Sequence, residues 1–506
     1  MDEKNYQLMT HFVPKSYVDQ AQQVHNSNKN KIRNLLEKRK IPDKGWSSEL
    51  IELLLSEFSS MDSNNFDDSC GLGEREGRIF SNLVLTRNYN FSHGIGRSGD
   101  LAEVQPKAIG SSVLNKLTNE LLLDLLKISG LTNVSSCIVC PMATGMSLAF
   151  CMMSIRQDKH NAKYVIMPRI DQKSCIKSIA CAGYEAIIIE PLKVGDELVT
   201  NLDEIEKKIS ELGSESIACI LSTTSCFAPR GPDKVEEIAS LCLRNNIFHL
   251  INNAYGLQST KLTHIINQAM RTGRVDVVVQ STDKNLMVPV GGAILAVCEK
   301  KILKKITEFY PGRASFSQSL DVLITMLSMG SDQYRSLLKE RKECFAYLKS
   351  EIQKLAEKYN EKVLETPNNP ISIAFTLSEF GSDPKKLTEI GSMLFTRLVS
   401  GVRVVVPGDN KIVVANGPLY KNFGSHSNST DKAYFTAAAA IGIKQSDIDL
   451  FLKRLIDCSN LHRVLDKLMH EKIRMNEYLD DDNESVSNDL FEEINELENE
   501  SNEISE

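Results

Sequence analysis

From about residue 110 to residue 280 the chain alternates long helical periods with short β-branched runs, and that alternation restricts the fold more than any other feature. Leu114–Ile128 reads as helix, whereas Ser136–Val139, Ala162–Met167, Glu185–Glu190, Ser216–Ser222, Ile247–Asn252 and Val275–Gln280 read as strands. Helical patterns such as Asp203–Leu212 and Asp233–Arg244 fill the gaps. A strand that must reach a parallel neighbour needs a crossover helix, so the pattern predicts an α/β fold with a mostly parallel central sheet and helices on both faces. After Pro311 the pattern changes. Helix is expected around Asp332–Lys358, strands at Ile371–Thr376, Val402–Val406 and Ile412–Ala415, and a helix from Ser446, which together predict a smaller C-terminal α+β domain. The expected division is an N-terminal helical extension over 1–44, a large domain over 45–310, a small domain over 311–470 and an acidic tail over 476–506.

Charge is distributed unevenly. Residues 476–506 hold 13 acidic side chains and no Lys or Arg, which leaves 59 basic against 53 acidic residues before them, a net of +6. The tail is expected to be disordered, with Leu490–Leu497 able to form a short helix, while the mildly basic body permits nucleic-acid binding without requiring it. The segment Lys29–Lys40 is basic and helix-prone. It reads either as a solvated helix face or as an arm that packs on a neighbouring subunit while offering Lys38, Arg39 and Lys40 to a polyanion.

No apolar run reaches the roughly 18 residues of a membrane span, and the first residues have neither a signal-peptide nor a transit-peptide pattern, so a cytoplasmic address is expected. The 12 cysteines form no disulfide framework. Cys137 and Cys140 make a C-x-x-C within an apolar strand, and no second pair completes a zinc site, so both are expected in the core and no metal is expected.

Chemistry concentrates in the loops. The run Val275–Gly292 delivers Lys284 from a β-branched strand into a polar turn, which is how a fold holds a Schiff-base lysine, partly desolvated so that its amine can attack an aldehyde. Pro141-Met-Ala-Thr-Gly-Met-Ser147 joins a strand to an apolar helix, so Ala143, Thr144 and Gly145 should offer donors at a helix N-terminus, a seat for phosphate. Gln172 follows the next strand, where a side chain can lie over a bound ring. Asn252 ends another, where it can hydrogen-bond a ring nitrogen. Gly71–Arg78 and Gly94–Asp100 gather glycine and arginine; the second matches G-x-G-x-x-G but lacks a good preceding strand and a following helix, so an anion cradle fits better than a dinucleotide site.

Phosphate loop, ring-facing residue, Asn252-Asn-Ala-Tyr-Gly and Ser281-Thr-Asp-Lys-Asn resemble, in that order, fold-type I pyridoxal-phosphate enzymes. More closely, Gly73-Glu-Arg-Glu-Gly-Arg, Gly94-Ile-Gly-Arg-Ser-Gly-Asp, Pro168-Arg-Ile-Asp-Gln-Lys-Ser, Ser222-Thr-Thr-Ser-Cys-Phe-Ala-Pro-Arg and Pro311-Gly-Arg-Ala-Ser resemble the O-phosphoseryl-tRNA(Sec) selenium transferases, from about residue 5 to 460. That resemblance implies pyridoxal 5′-phosphate as cofactor and conversion of O-phosphoseryl-tRNA(Sec) to selenocysteinyl-tRNA(Sec) with selenophosphate, by elimination of phosphate and addition of selenium. It implies Lys284 as the Schiff-base lysine, Ser281 as a further cofactor contact, and Arg75 as a cofactor-phosphate contact reaching from a neighbouring subunit. Arg97, Ser98, Gln105 and Arg313 would hold the substrate phosphate. Arg271 and Arg397 would contact tRNA, Arg397 reading the discriminator base; a family lysine falls near Val464 here, which displaces that contact towards Arg463, and the polyanion reading of the basic arm adds Lys38. A homotetramer assembled through residues 1–44 is also implied, with RNA rather than DNA as the nucleic-acid partner. Two other readings are a pyridoxal-phosphate lyase or desulfurase acting on a free amino acid, with Cys226 as its candidate thiol, and a catalytically silent tRNA-binding scaffold.

Overall fold

Apolar strand segments stay in the interior of this chain because helices cover them on both sides. In the computed structural model, which describes residues 2–381, 383–408, 412–414, 419–428, 432–460, 494–497 and 499–500, seven strands form one sheet. They are β1 (Ser136–Cys140), β2 (Tyr164–Pro168), β3 (Glu185–Ile189), β4 (Ile217–Thr223), β5 (Phe248–Asn252), β6 (Val277–Ser281) and β7 (Ala293–Val297), in the order β1-β7-β6-β5-β4-β2-β3. The β2–β3, β2–β4, β4–β5 and β5–β6 pairs are parallel, and β7 runs antiparallel to both neighbours. Every residue of β4, β6 and β7 is buried, as near-continuous apolar runs in a doubly covered sheet should be. Val277, Val278 and Val279 have no exposed surface, and each stabilises the sheet by roughly 1.5–3 kcal/mol.

The alternation predicted six of these strands and missed β7. Ala293-Ile-Leu-Ala-Val297 is a five-residue apolar run with no crossover helix before it, a pattern that local periodicity leaves ambiguous. What makes it a strand is the turn at Gly291 and Gly292. Gly291 has φ +146°, and a Cβ on Gly292 would come within 2.9 Å of Thr282 Oγ1.

The helix after the large sheet begins earlier than its pattern suggested, at Ser317 rather than Asp332, and runs to Lys358 with a break at Gly330 (φ 64°, ψ 175°). Leu320, Leu323 and Leu327 on its first part join the core under the large sheet, while Leu348, Ile352 and Leu355 on its second part join a separate core. The break is fastened by the chain ahead of the large sheet: Ser331 N donates to Pro42 O at 2.9 Å, Asp332 N to Asp43 O at 3.0 Å, and Trp46 N to Leu327 O at 2.8 Å. Backbone meets backbone there, since a Cβ on Gly45 would lie 2.0 Å from Ser328 O.

The second core supports a three-stranded antiparallel sheet of β8 (Ser372–Thr376), β9 (Arg403–Val405) and β10 (Tyr434–Ala438), in the order β8-β10-β9. The expected strand at Ile412–Ala415 is present as Val413–Val414, paired with Leu419–Tyr420. At the N-terminus, Lys15–Lys38 is one helix that buries Val18, Ile32 and Leu35 and leaves Phe12, Tyr17 and Val24 nearby exposed. Of the acidic tail, residues 494–497 are helical, with Ile494 buried. Among the described residues no helix is long and apolar enough to cross a membrane.

Candidate active site

Two changes of backbone within seven residues set the position of Lys284. β6 ends at Ser281, one helical turn follows over Thr282–Leu286, and Met287 closes it with a left-handed φ of 56°. Asn285 holds the turn, its Nδ2 donating to Ser281 O at 2.7 Å and to Ala254 O at 2.9 Å. Gln258 fastens it from the other side. Its Nε2 donates to the carbonyl of Lys284 at 2.7 Å, and its Oε1 accepts from Ile441 N at 2.6 Å, which ties the lysine's backbone to the chain just beyond β10.

The Lys284 side chain lies on the wall of a cavity of about 410 Å³. Its Nζ is 3.4 Å from Ser281 Oγ and 4.0 Å from Asp283 Oδ2, and Ser281 Oγ in turn donates to Asp283 Oδ1. The sequence predicts a partly desolvated amine, and the side chain is 47% exposed. The helical turn lifts it clear of the buried strand end and into the open cleft.

Thr144, Gly145, Gln172 and Asn252 line that same cavity. They come from the carboxyl ends of β1, β2 and β5, where ligands bind in open α/β sheets. Ala143 is the N-cap of the helix Thr144–Ile155, with extended ψ of 158° and no capping side chain. Thr144 Oγ1 is buried without a hydrogen-bond partner, and the nearest atom to a Cβ on Gly145 would be Ser174 Cβ at 3.7 Å, so the protein itself does not fill this helix end. Asn252 donates through Nδ2 to Cys175 Sγ at 3.5 Å, while its buried Oδ1 has no partner. An orphaned buried polar atom costs about 1–3 kcal/mol. Two on one cavity, at a helix N-terminus and at a strand-end amide, fit a ligand that carries a phosphate and a ring nitrogen.

Sequence reasoning missed a charged cluster beside this cavity. Asp171, which is buried and lines the wall, accepts from Arg403 Nη1 through Oδ2. Its backbone N donates to His426 Nδ1 at 3.2 Å, and burial pushes that imidazole down to about 4. Asp171 stands within a motif that was singled out, but its partners lie 232 and 255 residues away, so no local signal pairs them. The half-buried Tyr255 and the buried Gln258 are further wall residues to which sequence reasoning assigned no role.

Cys226 also lines the cavity, as a packed thiol. It is 4% exposed, its Sγ donates to Arg230 O and Gly231 O at 3.1 Å each, and burial pushes the thiol up to about 12. A nucleophile needs thiolate, which this group does not supply near neutral pH. Cys137 and Cys140 are buried in β1, with Cys140 pushed up to about 11.

The glycine–arginine loops form a separate place. Ile95 and Ala314 exchange both backbone hydrogen bonds at 3.0 Å, which brings the Gly94–Asp100 turn beside Arg313. Glycine is required there, because Gly94 has φ +71° and a Cβ would lie 2.4 Å from Ala314 O. Arg97 and Ser98 are exposed, Gln105 is half-buried, and Arg313 keeps a buried Nη1 without a partner. Arg75 is exposed, 3.9 Å from Glu74. None of these five lines the Lys284 cavity of its own chain. Arg271 and Lys38 are exposed at the ends of the helices Thr260–Thr272 and Lys15–Lys38, and Arg397 caps the helix Pro384–Thr396, so the three stand on separate helices. Arg463 lies outside the described residues.

A mixed seven-stranded sheet with one antiparallel member, a strand-end lysine and an uncapped helix at the same cleft define a fold-type I protein of the pyridoxal-phosphate-enzyme class. A sphingosine-1-phosphate lyase structure from Burkholderia pseudomallei shares this fold with a TM-score of 0.53 at 10% identity, over 92% of this chain and 94% of that one. Closer likeness is specific. Residues 61–460 match the family described as O-phosphoseryl-tRNA(Sec) selenium transferase, SepSecS, and the chain belongs to that family. It is 48% identical over 472 residues to the O-phosphoseryl-tRNA(Sec) selenium transferase of Dictyostelium discoideum, covering 90% of this chain and 98% of that protein. The crystal structure of an archaeal member matches with a TM-score of 0.80 at 33% identity, over 88% of this chain and 97% of the other.

Proposed function

We propose that this chain converts O-phosphoseryl-tRNA(Sec) to selenocysteinyl-tRNA(Sec), with pyridoxal 5′-phosphate as cofactor and selenophosphate as selenium donor. One observation carries the reading: Thr144, Gly145, Gln172, Asn252 and Lys284, from four separate strand ends, line a single cavity. Ala143, Thr144 and Gly145 would hold the cofactor phosphate, Gln172 and Asn252 would face its ring, and the Lys284 amine would attach it, with Ser281 beside that amine. When bound, the cofactor supplies an electron sink for charge left on the substrate's α-carbon.

The residues of the chain do the rest. Lys284 Nζ, freed once the substrate's own amino group takes its place, accepts the α-proton with Ser281 Oγ beside it. Arg97, Ser98, Gln105 and Arg313 grip the substrate phosphate and stabilise its charge as it leaves the β-carbon. Selenophosphate, of similar charge, enters the same anion pocket. Asn252 is a neutral amide and cannot hold a ring nitrogen protonated as a carboxylate would; a good leaving group at the β-carbon suits that weaker sink.

A second copy completes the arrangement, with Arg75 and the glycine loops of one subunit serving the cavity of another. Support comes from Leu72, Phe80 and Leu83, large apolar side chains left exposed around Arg75. The exposed Phe12, Tyr17 and Val24 support assembly of a homotetramer through residues 1–44. Arg271, Arg397, Lys38 and Arg463 contact the tRNA, and the enzyme works in the cytoplasm. Borohydride reduction of the purified protein followed by peptide mapping tests the core of this reading. The expected product is a pyridoxyl group on Lys284, and a label on any other lysine would refute it.

A further inference from the structure

A second cavity, of about 490 Å³, abuts the first. The two share Phe227, Ala438 and Ala440 among their lining residues, so they adjoin at these side chains. The second is walled by Val402, Ile448 and Phe451, and its mouth carries Leu398 and Leu450, at 80% and 45% exposure. Apolar surface left open to water at a cavity mouth marks a place where something binds. Polar groups are few. Arg454 uses Nη1 on Leu398 O at 3.2 Å, Ser400 stands on the exposed loop 398–401, and Asp447 lies across the wall. The volume falls within the roughly 300–1,000 Å³ of a small-molecule site, and a mostly apolar wall with a few polar groups is the usual lining of one.

What occupies it follows from the bond that joins substrate to RNA. An aminoacyl group is esterified directly to the ribose of the terminal nucleoside, so when its α-carbon reaches Lys284 that nucleoside must sit in the adjoining space. We infer that the second cavity holds the terminal adenosine of the aminoacyl-tRNA, its base against Phe451 and Ile448 and within reach of the Arg454 guanidinium. Aromatic and guanidinium faces are the groups on which unpaired bases stack. Charge agrees, because Arg397 and Lys453 adjoin the pocket residues in the chain and suit the phosphates that lead into it. This rests on the RNA-substrate reading above, and adds to it a second binding element that recognises the RNA end independently of the amino acid.

The test compares uncharged tRNA(Sec) ending in CCA with the same RNA lacking only its last adenosine, by equilibrium binding to the full-length protein. The intact RNA is expected to bind roughly tenfold more tightly, the size of one stacked base. This first comparison needs no variant. Ser400→Trp, which would project an indole from an exposed loop into the cavity, is expected to bring the ratio to about one. Equal binding of both RNAs by the wild-type protein, or a Ser400→Trp variant that keeps the tenfold ratio, overturns the assignment and leaves the proposed reaction standing. Binding of neither RNA overturns the functional reading as well.

Discussion

The Lys284 cleft and the Gly94–Gln105 loop are equally rich in chemistry, yet the chain holds them in place by different means. Around Lys284 every element is anchored in the sheet: the turn rises from β6, its carbonyl is held by Gln258, and Asn252 and Gln172 extend from β5 and β2. The glycine–arginine turn is held to its own chain by the Ile95–Ala314 pair, and its exposed Arg97 and Ser98 do not line the Lys284 cavity. Sheet edges place side chains by intrachain packing. Loops built from glycine place backbone accurately but need another surface to close on.

Removing the amine should produce the largest effect. Lys284→Ala is expected to lose turnover by ~10³-fold or more and to lose borohydride trapping, while keeping its affinity for tRNA(Sec); measurable selenium transfer by the variant would break the assignment of the cleft. The contrast between cleft and loop is sharpened next by mixing. Lys284→Ala and Arg75→Ala, each inactive alone, are expected to regain activity at roughly a quarter of the sites when co-assembled, because a two-fold interface pairs one intact loop with one intact cleft. No recovery in co-purified mixed oligomers would mean that loop and cleft of the same chain cooperate.

A smaller change is expected at the strand-end amide. Asn252→Asp should shift the absorbance of the bound cofactor and alter the elimination rate by about tenfold through its added charge; an unchanged spectrum and rate would remove the argument for a weakened sink. Mildest is the response to acid. His249 and His426 are buried and held down to about 4, against 6.5 for an unperturbed imidazole. The unfolded chain therefore binds more protons between those values, and stability should fall as pH drops from 6.5 towards 4. Thermal melts across that range should show the decline, and His426→Gln should reduce its slope; an identical slope would show that His426 does not contribute.

Legibility followed the range of the interactions involved. Thr144, Gln172, Asn252 and Lys284 could be read because each ends, or follows within four residues, a strand whose apolar run is visible locally, and strand ends in such a sheet share one edge. Strand β7 could not, because Ala293–Val297 carries no periodicity of its own and is defined by pairing with β1 and β6. Asp171 was in plain sight, but its importance depends on Arg403 and His426, which lie 232 and 255 residues further along the chain.

The order of polar and apolar residues by itself determined the α/β class, the lysine in the turn after β6, the helix start after β1 and the glycine turns, since each depends on neighbours within a few positions. Tertiary structure alone decided that Lys284 stands half-exposed, that Cys226 is sealed as a thiol, that Asp171 is paired with a distant arginine, and that two cavities adjoin at Phe227. Those outcomes are set by burial and by contacts between segments hundreds of residues apart, and neither quantity is carried by any stretch of sequence short enough to read alone.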